Sequence, residues 1–66
     1  MNSMKMWICR EKDGTLTLHN KKPIRYNEDG IEYWCGGHCY YLRQDDYPEV
    51  TFENSPQEVE LKLIEK

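Results

Sequence analysis

The C-terminal part of the chain alternates strictly between apolar and charged positions. The apolar positions are Val59, Leu61 and Leu63, and the charged ones are Glu58, Glu60 and Lys62. A period of two places successive side chains on opposite faces of an extended strand, so Gln57–Ile64 is predicted to be a β-strand with one face in water. Three further segments show a similar pattern: Met6–Arg10, Thr15–His19 and Ile31–Tyr41. The sequence therefore predicts an all-β fold, a small antiparallel sheet of four to five strands built from two hairpins and a C-terminal strand.

Asp13-Gly14 predicts the first hairpin turn, because glycine adopts a positive φ without a clash at Cβ. Two registers are compatible with the sequence. A two-residue turn pairs Glu11 with Leu16, whereas a three-residue loop, Lys12–Gly14, pairs Glu11 with Thr15. The first register puts Trp7, Cys9, Leu16 and Leu18 on one face, and the second gathers Met6, Ile8, Leu16 and Leu18 instead. The three-residue loop is favoured because its opposite face is expected to collect Arg10 with nothing apolar across from it, whereas the two-residue turn sets Glu11 beside Leu16.

The second hairpin is predicted over Ile31–Arg43, with a two-residue turn at Gly36-Gly37. This turn pairs Cys35 with His38 and divides the side chains between two faces. The drier face is predicted to hold Ile31, Tyr33, Cys35, His38, Tyr40 and Leu42. The wetter face is predicted to hold Glu32, Trp34, Cys39, Tyr41 and Arg43.

Proline and turn-forming residues predict the connections. Pro23 cannot donate to a strand ladder, so Asn20–Gly30 is expected to be a loop or an irregular edge segment that ends in a turn. Gln44–Tyr47 is expected to be a loop or a single helical turn, followed by a short strand at Val50 and Phe52. The connections therefore separate the two hairpins from the last strand.

At 66 residues the chain is predicted to be one domain. A core of that size supplies only about 3–5 kcal/mol of net stability without a disulfide, a metal or a partner subunit. Self-association into a homodimer is therefore expected. No apolar stretch approaches a membrane span or the apolar region of a signal peptide. These features predict a cytoplasmic protein that does not enter membranes.

The formal net charge of −3 is unevenly distributed. The first 43 residues carry seven basic and five acidic side chains, whereas Gln44–Lys66 carries two basic and seven acidic ones. Because non-specific duplex binding depends on summed phosphate contacts, no binding to duplex nucleic acid is expected.

The three cysteines are an odd number, which is a poor disulfide framework, and free thiols are expected in the cytoplasm. Cys35-Gly-Gly-His38-Cys39, together with Cys9 and His19, supplies zinc ligand types. A two-residue turn would place Cys35 and Cys39 on opposite faces of the hairpin, whereas a three-residue loop would place them opposite each other. A zinc-stapled structural domain is therefore an alternative, while the favoured register predicts no metal site and no cofactor.

Cys35 and His38 would face each other as a nucleophile and its base. No evident third group orients the imidazole, and the chain is too short to build much of a cleft. The sequence therefore predicts no catalytic residues and no enzymatic activity.

The eight aromatic residues are too many for a sheet of this size to bury. They are Trp7, Tyr26, Tyr33, Trp34, Tyr40, Tyr41, Tyr47 and Phe52. Aromatic side chains and arginine concentrate the binding energy of protein interfaces. Trp34, Tyr41 and Arg43 are accordingly predicted to form a binding face. The open alternative is that this face packs beneath Asn20–Gly30 or the C-terminal segment.

A small nucleotide is a further candidate ligand. An aromatic ring would stack on the base, and Arg10, Lys22 or Arg25 would hold a phosphate. The alternative function is then a sponge for a small nucleotide.

An ordered set of residues extends across nearly the whole chain. It comprises Trp7-Ile8-x-Arg10-x-Lys12-Asp13-Gly14-x-Leu16-x-Leu18, Lys22-Pro23-x-Arg25, Trp34, Tyr47-Pro48-Glu49-Val50-Thr51-Phe52-Glu53 and Glu58-Val59-Glu60-Leu61. This set resembles a widespread group of short uncharacterised proteins from bacteria, their phages and other mobile elements. The group usually carries Phe where Tyr47 stands and often Trp where Phe52 stands.

The resemblance implies a small phage or mobile-element accessory protein in the host cytoplasm. Such proteins commonly act by stoichiometric binding, for example as an inhibitor of a host antiviral defence protein. The sequence and the resemblance together predict a non-enzymatic binding module whose partner is a host protein or a small ligand.

Overall fold

The computed structural model describes residues 3–62, and the six strands in that range form two antiparallel sheets. The strands are β1 (Ser3–Arg10), β2 (Leu16–His19), β3 (Ile24–Glu28), β4 (Ile31–Cys35), β5 (Cys39–Leu42) and β6 (Gln57–Lys62). One sheet has four strands in the order β5-β2-β1-β6, and β3 and β4 form a separate two-stranded hairpin. The predicted all-β antiparallel class is confirmed, with a further strand and a second sheet.

The β1–β2 hairpin has the favoured three-residue loop. Ile8 lies opposite Leu18, and the Glu11 N–H donates to the Thr15 carbonyl at 2.8 Å. Gly14 closes the loop with a φ of 96°, a conformation that residues with a Cβ rarely adopt. The predicted register of the first hairpin is confirmed.

One face of the four-stranded sheet carries the main hydrophobic core. Ile8 and Leu16 are buried there against Val50, and Leu18, Leu42 and Val59 pack around them. Val50 belongs to the segment after β5, which folds across this face. Val50 and Phe52 are both buried but lie in turns and irregular structure, so the predicted short strand is wrong. They reach the interior from turns, where an apolar side chain can be buried without a ladder partner.

The predicted second hairpin is wrong, because β4 pairs with β3 and not with β5. The turn is Asp29-Gly30, so Asn20–Gly30 contains a strand where a loop or irregular segment was predicted. Both Asp29-Gly30 and Gly36-Gly37 are turn-forming pairs. Packing decides between them, because β5 pairs with β2 in the four-stranded sheet and Tyr41 lies opposite Thr17.

Gly36-Gly37 therefore connects two sheets and is not a hairpin turn. A Cβ on Gly36 would lie 2.7 Å from the Cα of Pro23, so the crossing requires glycine. The buried His19 ring joins the two sheets at the same place. Its Nδ1 lies 2.9 Å from the Gly36 carbonyl oxygen, and its Nε2 lies 2.8 Å from the Thr17 hydroxyl. Because a carbonyl only accepts, Nδ1 carries the hydrogen towards Gly36.

The C-terminal strand is confirmed along β1, where Val59 lies opposite Met6. The predicted strand end at Leu63 and Ile64 lies outside the described residues. Between residues 3 and 62 no helix is long and apolar enough to cross a membrane.

Candidate protein-binding surface

The two faces of the β3–β4 hairpin differ in character. Alternation along the paired strands places Arg25, Asn27, Glu32 and Trp34 on one side, which we call the inner face. The other side, which we call the outer face, carries Ile24, Tyr26, Glu28, Ile31, Tyr33 and Cys35. The inner face contacts the rest of the protein, whereas the outer face is largely exposed.

Residues of the inner face pack around the ring of Phe52. The Arg25 guanidinium lies 4.3 Å from the centroid of this ring, and the Lys12 ammonium lies 5.1 Å from it. Trp34 packs against the same ring with a centroid distance of 6.1 Å. The Glu32 carboxylate forms a salt bridge with the Lys12 ammonium at 2.8 Å and another with the Arg25 Nε at 3.6 Å. Cation–π and charge contacts therefore fix the hairpin on the protein.

Glu11 provides a second attachment of the hairpin. Both of its carboxylate oxygens accept the Trp34 backbone N–H, each at 3.2 Å. Burial raises the pKa of Glu11 above its ordinary value, and the bond from Trp34 opposes part of that rise in pKa. The Glu11 carboxylate therefore accepts a hydrogen bond from the Trp34 N–H, which is not used for pairing within the β3–β4 hairpin.

The outer face is an exposed cluster of aliphatic and aromatic side chains. Ile31 is 68 % exposed, Ile24 61 % and Tyr26 46 %. The rings of Tyr26 and Tyr33 stack with centroids 5.9 Å apart. Apolar clusters of this kind on a small protein mark interaction sites. The sequence analysis did not identify this surface, although Tyr26 and Tyr33 are symmetric about Asp29-Gly30 and each has an isoleucine two residues before it.

The residues predicted to bind a partner or ligand lie in separate regions. Arg25 and Trp34 belong to the inner face, Tyr41 lies on β5 with Arg43 just after it, Lys22 lies between β2 and β3, and Arg10 ends β1. The predicted shared face of Trp34, Tyr41 and Arg43 is wrong, because β4 and β5 belong to different sheets. The alternative expectation, that the face containing Trp34 packs beneath Asn20–Gly30, fits Trp34 itself, because its ring contacts Arg25 of that segment.

Arg10 is a structural residue at the edge of the core. Its five guanidinium N–H groups donate to five backbone carbonyls, those of Gly14, Gln44, Asp46, Tyr47 and Val50, at 2.9–3.0 Å. No donor remains for a phosphate, so the predicted role of Arg10 in holding a nucleotide is corrected. The sequence contained a signal for this role, because Arg10 continues the core-facing alternation of Met6 and Ile8.

The cysteines and histidines do not assemble as the zinc and nucleophile hypotheses required. Cys35 lies opposite Ile24 and not opposite His38. Cys35 and Cys39 are exposed, whereas Cys9 is buried, and burial raises the pKa of the Cys9 thiol to about 12. In the part of the chain that the structure describes, no three His, Cys, Asp or Glu side chains come close enough together to hold a metal ion.

Comparison with known proteins adds no relative. No protein-family model, curated protein or solved structure matches this chain. Function is therefore inferred from its own exposed surfaces, among which the outer face of the hairpin carries three exposed large apolar side chains, Ile24, Tyr26 and Ile31.

Proposed function

We propose that this protein is a non-enzymatic binding module that engages a partner protein through the outer face of the β3–β4 hairpin. The observation that carries the proposal is the exposed cluster of Ile24, Tyr26 and Ile31 on a strand pair of defined register. Side chains of this type gain free energy when a partner removes them from water. Two of the three are branched aliphatic residues, which make a hydrogen-bonding ligand a poor fit.

Attachment of the inner face supports the same function. Contacts of Phe52 with Arg25 and Trp34 hold the hairpin before any partner arrives. A surface that is already ordered loses less conformational entropy on binding than a flexible loop does. The outer face is therefore preorganised for association.

The charges at the tip of the hairpin indicate the chemistry of the partner. Glu28 lies on the outer face opposite Ile31, and Asp29 follows it in the turn. The whole chain also carries a formal charge of −3. A partner with an apolar patch bordered by lysine or arginine is complementary to this surface. The resemblance to phage and mobile-element proteins supports a host protein of the antiviral defence in the host cytoplasm as that partner.

The test compares Ile31→Glu with Leu61→Glu as a matched control. Leu61 is 53 % exposed on β6, in the other sheet. Immobilised wild type and Leu61→Glu are expected to capture the same host protein, and Ile31→Glu is expected to lose it. Equal thermal midpoints of the three proteins would show that the fold is unchanged.

Retention of the host protein by Ile31→Glu would overturn the proposal, and so would recovery of nothing but further copies of this chain. Native mass spectrometry of the purified protein provides an independent check. A mass excess equal to a zinc ion or to a nucleotide would favour the structural-domain or nucleotide alternatives instead.

A further inference from the structure

The two edges of the four-stranded sheet differ in their side chains. On β6, every second residue is charged: Glu58, Glu60 and Lys62. Charged residues on an edge strand discourage pairing with another chain. On the opposite edge, β5 reads Cys-Tyr-Tyr-Leu and contains neither a charge nor a proline. Only β6 therefore has side chains that oppose the addition of a further strand.

The hydrogen-bond register identifies the backbone groups at the β5 edge. The Asn20 N–H donates to the His38 carbonyl at 3.2 Å, which places His38 in a hydrogen-bonded pair with Asn20. Because such pairs alternate in antiparallel sheets, the even-numbered residues of β5 direct their N–H and C=O groups towards β2. Cys39 and Tyr41 direct theirs away from the sheet.

The hydrogen bonds of the β1–β2 hairpin independently indicate that the odd-numbered residues of β5 direct their backbone groups outward. The Glu11 N–H donates to Thr15, so Cys9 and Thr17, two residues along each strand, also form a hydrogen-bonded pair. The backbone groups of Thr17 are then used towards β1. Tyr41, which lies opposite Thr17, has its own groups free for the outer side.

The β5 edge is open to solvent. Tyr41 is 78 % exposed, Tyr40 is 56 % exposed, and Cys39 is exposed as well. Among residues 3–62 no strand pairs with the outer side of β5. Outward-facing amide and carbonyl groups beside two exposed tyrosines form a template for strand addition.

We infer that β5 pairs antiparallel with β5 of a second copy of this chain. The two-fold axis is normal to the sheet and places Tyr40 opposite its own symmetry mate. Cys39 then lies opposite Tyr41 of the second copy, and the two residues exchange both backbone hydrogen bonds, as does the symmetry-related pair. The two four-stranded sheets continue as one sheet of eight strands.

The composition of the edge favours this occupant. Cys39, Tyr40 and Tyr41, the residues that the pairing brings together, carry no charge, so no like charges oppose each other within β5. The nearest like charges are Arg43 of one copy and Lys21, which lies beside Gly37, of the other. Both side chains are exposed and lie outside the paired strands.

The pairing also adds apolar burial to a small core. Tyr40 lies on the same face of the sheet as Leu18 and Leu42, which are only partly buried against the core. The pairing of Tyr40 with its symmetry mate extends this apolar surface across the junction. Aromatic side chains in directly opposed positions stabilise strand pairs.

Sedimentation equilibrium of three proteins tests the inference. Wild type is expected to dimerise at micromolar concentrations. Tyr40→Lys and Tyr40→Glu are each expected to raise the dimer dissociation constant roughly tenfold or more, because like charges then oppose each other at the axis. An equimolar mixture of the two variants is expected to recover the dimer, because a lysine then faces a glutamate.

Three outcomes would overturn the inference: a monomeric wild type, unchanged dimerisation of both Tyr40 variants, or failure of their mixture to restore the dimer while each variant keeps its thermal midpoint. Ile31→Glu separates this inference from the proposed function. That variant is expected to remain dimeric, and dimerisation lost with Ile31→Glu would assign self-association to the outer face.

Discussion

The β1–β2 hairpin and the β3–β4 hairpin have similar alternating sequences but different surroundings. In the first, Leu16 is fully buried on one face, and Cys9 and His19 are buried on the other. In the second, Trp34 on the inner face is only partly buried, while Ile24 and Ile31 on the outer face stay largely exposed. The comparison teaches that alternation identifies a strand pair, whereas its position in the topology decides how many of its faces are buried.

Thiol labelling of the native protein gives the largest expected contrast between the two hairpins. Cys9 of β1 has its pKa raised from 9.0 to about 12, which lowers its thiolate fraction about a thousandfold relative to a thiol of ordinary pKa. Cys35 of β4 and Cys39 are exposed. A colourimetric thiol reagent is expected to label two cysteines quickly and the third only on addition of denaturant. Rapid labelling of all three in native buffer would contradict the buried position of Cys9.

Truncation of a large apolar side chain is expected to separate the two hairpins next. Leu16→Ala leaves a cavity in the core and is expected to cost about 3 kcal/mol of unfolding free energy. Ile31→Ala removes an exposed side chain and is expected to change that free energy by less than about 0.5 kcal/mol. Urea titrations followed by circular dichroism measure both values. Equal losses would mean that the outer face is packed in solution.

Two arginines provide a smaller contrast of the same kind. Arg10→Met removes the donors of five carbonyls beside the core and is expected to cost about 2 kcal/mol. Arg43→Met changes an exposed side chain and is expected to be neutral within about 0.5 kcal/mol. The measurement is again the urea midpoint. A neutral Arg10→Met would show that its carbonyl contacts are replaced by water without loss.

The smallest expected effect concerns the attachment of β4. The folded-state pKa of Glu11 is raised by burial, so the folded protein holds this proton more tightly than the unfolded chain. Stability is therefore expected to fall as pH rises from the ordinary glutamate pKa of 4.5 through the raised value. Glu11→Gln is expected to remove this part of the pH profile while its amide oxygen still accepts the Trp34 N–H. An unchanged profile in the variant would assign the slope to another group.

The sequence predicted those parts of the fold that depend on local signals. Gly14 and the alternation around it predicted the first hairpin and left two registers, of which the favoured one is present, and Gln57–Lys62 carried its own period of two. The partner of β4 depended on a distant contact, the close approach of Gly36 to Pro23, which no local pattern reveals. The two competing turn pairs, Asp29-Gly30 and Gly36-Gly37, are separated by the five residues of β4, and packing decides between them.

The candidate surface was predicted only in part. Trp34 and Arg25 do lie together, but on the inner face of the hairpin, where both contact the ring of Phe52. The outer face depends on the pairing of β3 with β4 and could not be derived while Asn20–Gly30 was treated as a loop. Arg10 illustrates a second limit, since a cation at a core-facing position serves a backbone segment as readily as a ligand.

The contacts of Arg10 have a consequence for evolution of the chain. Arg10 holds main-chain oxygens and no side chains of the segment from residue 44 to 47. The hydrogen bonds from Arg10 therefore do not depend on which side chains stand at positions 44, 45 and 46. Mutation can rewrite the chemistry of this stretch without loosening its anchor, which leaves a patch of surface where new specificities can arise at little structural risk.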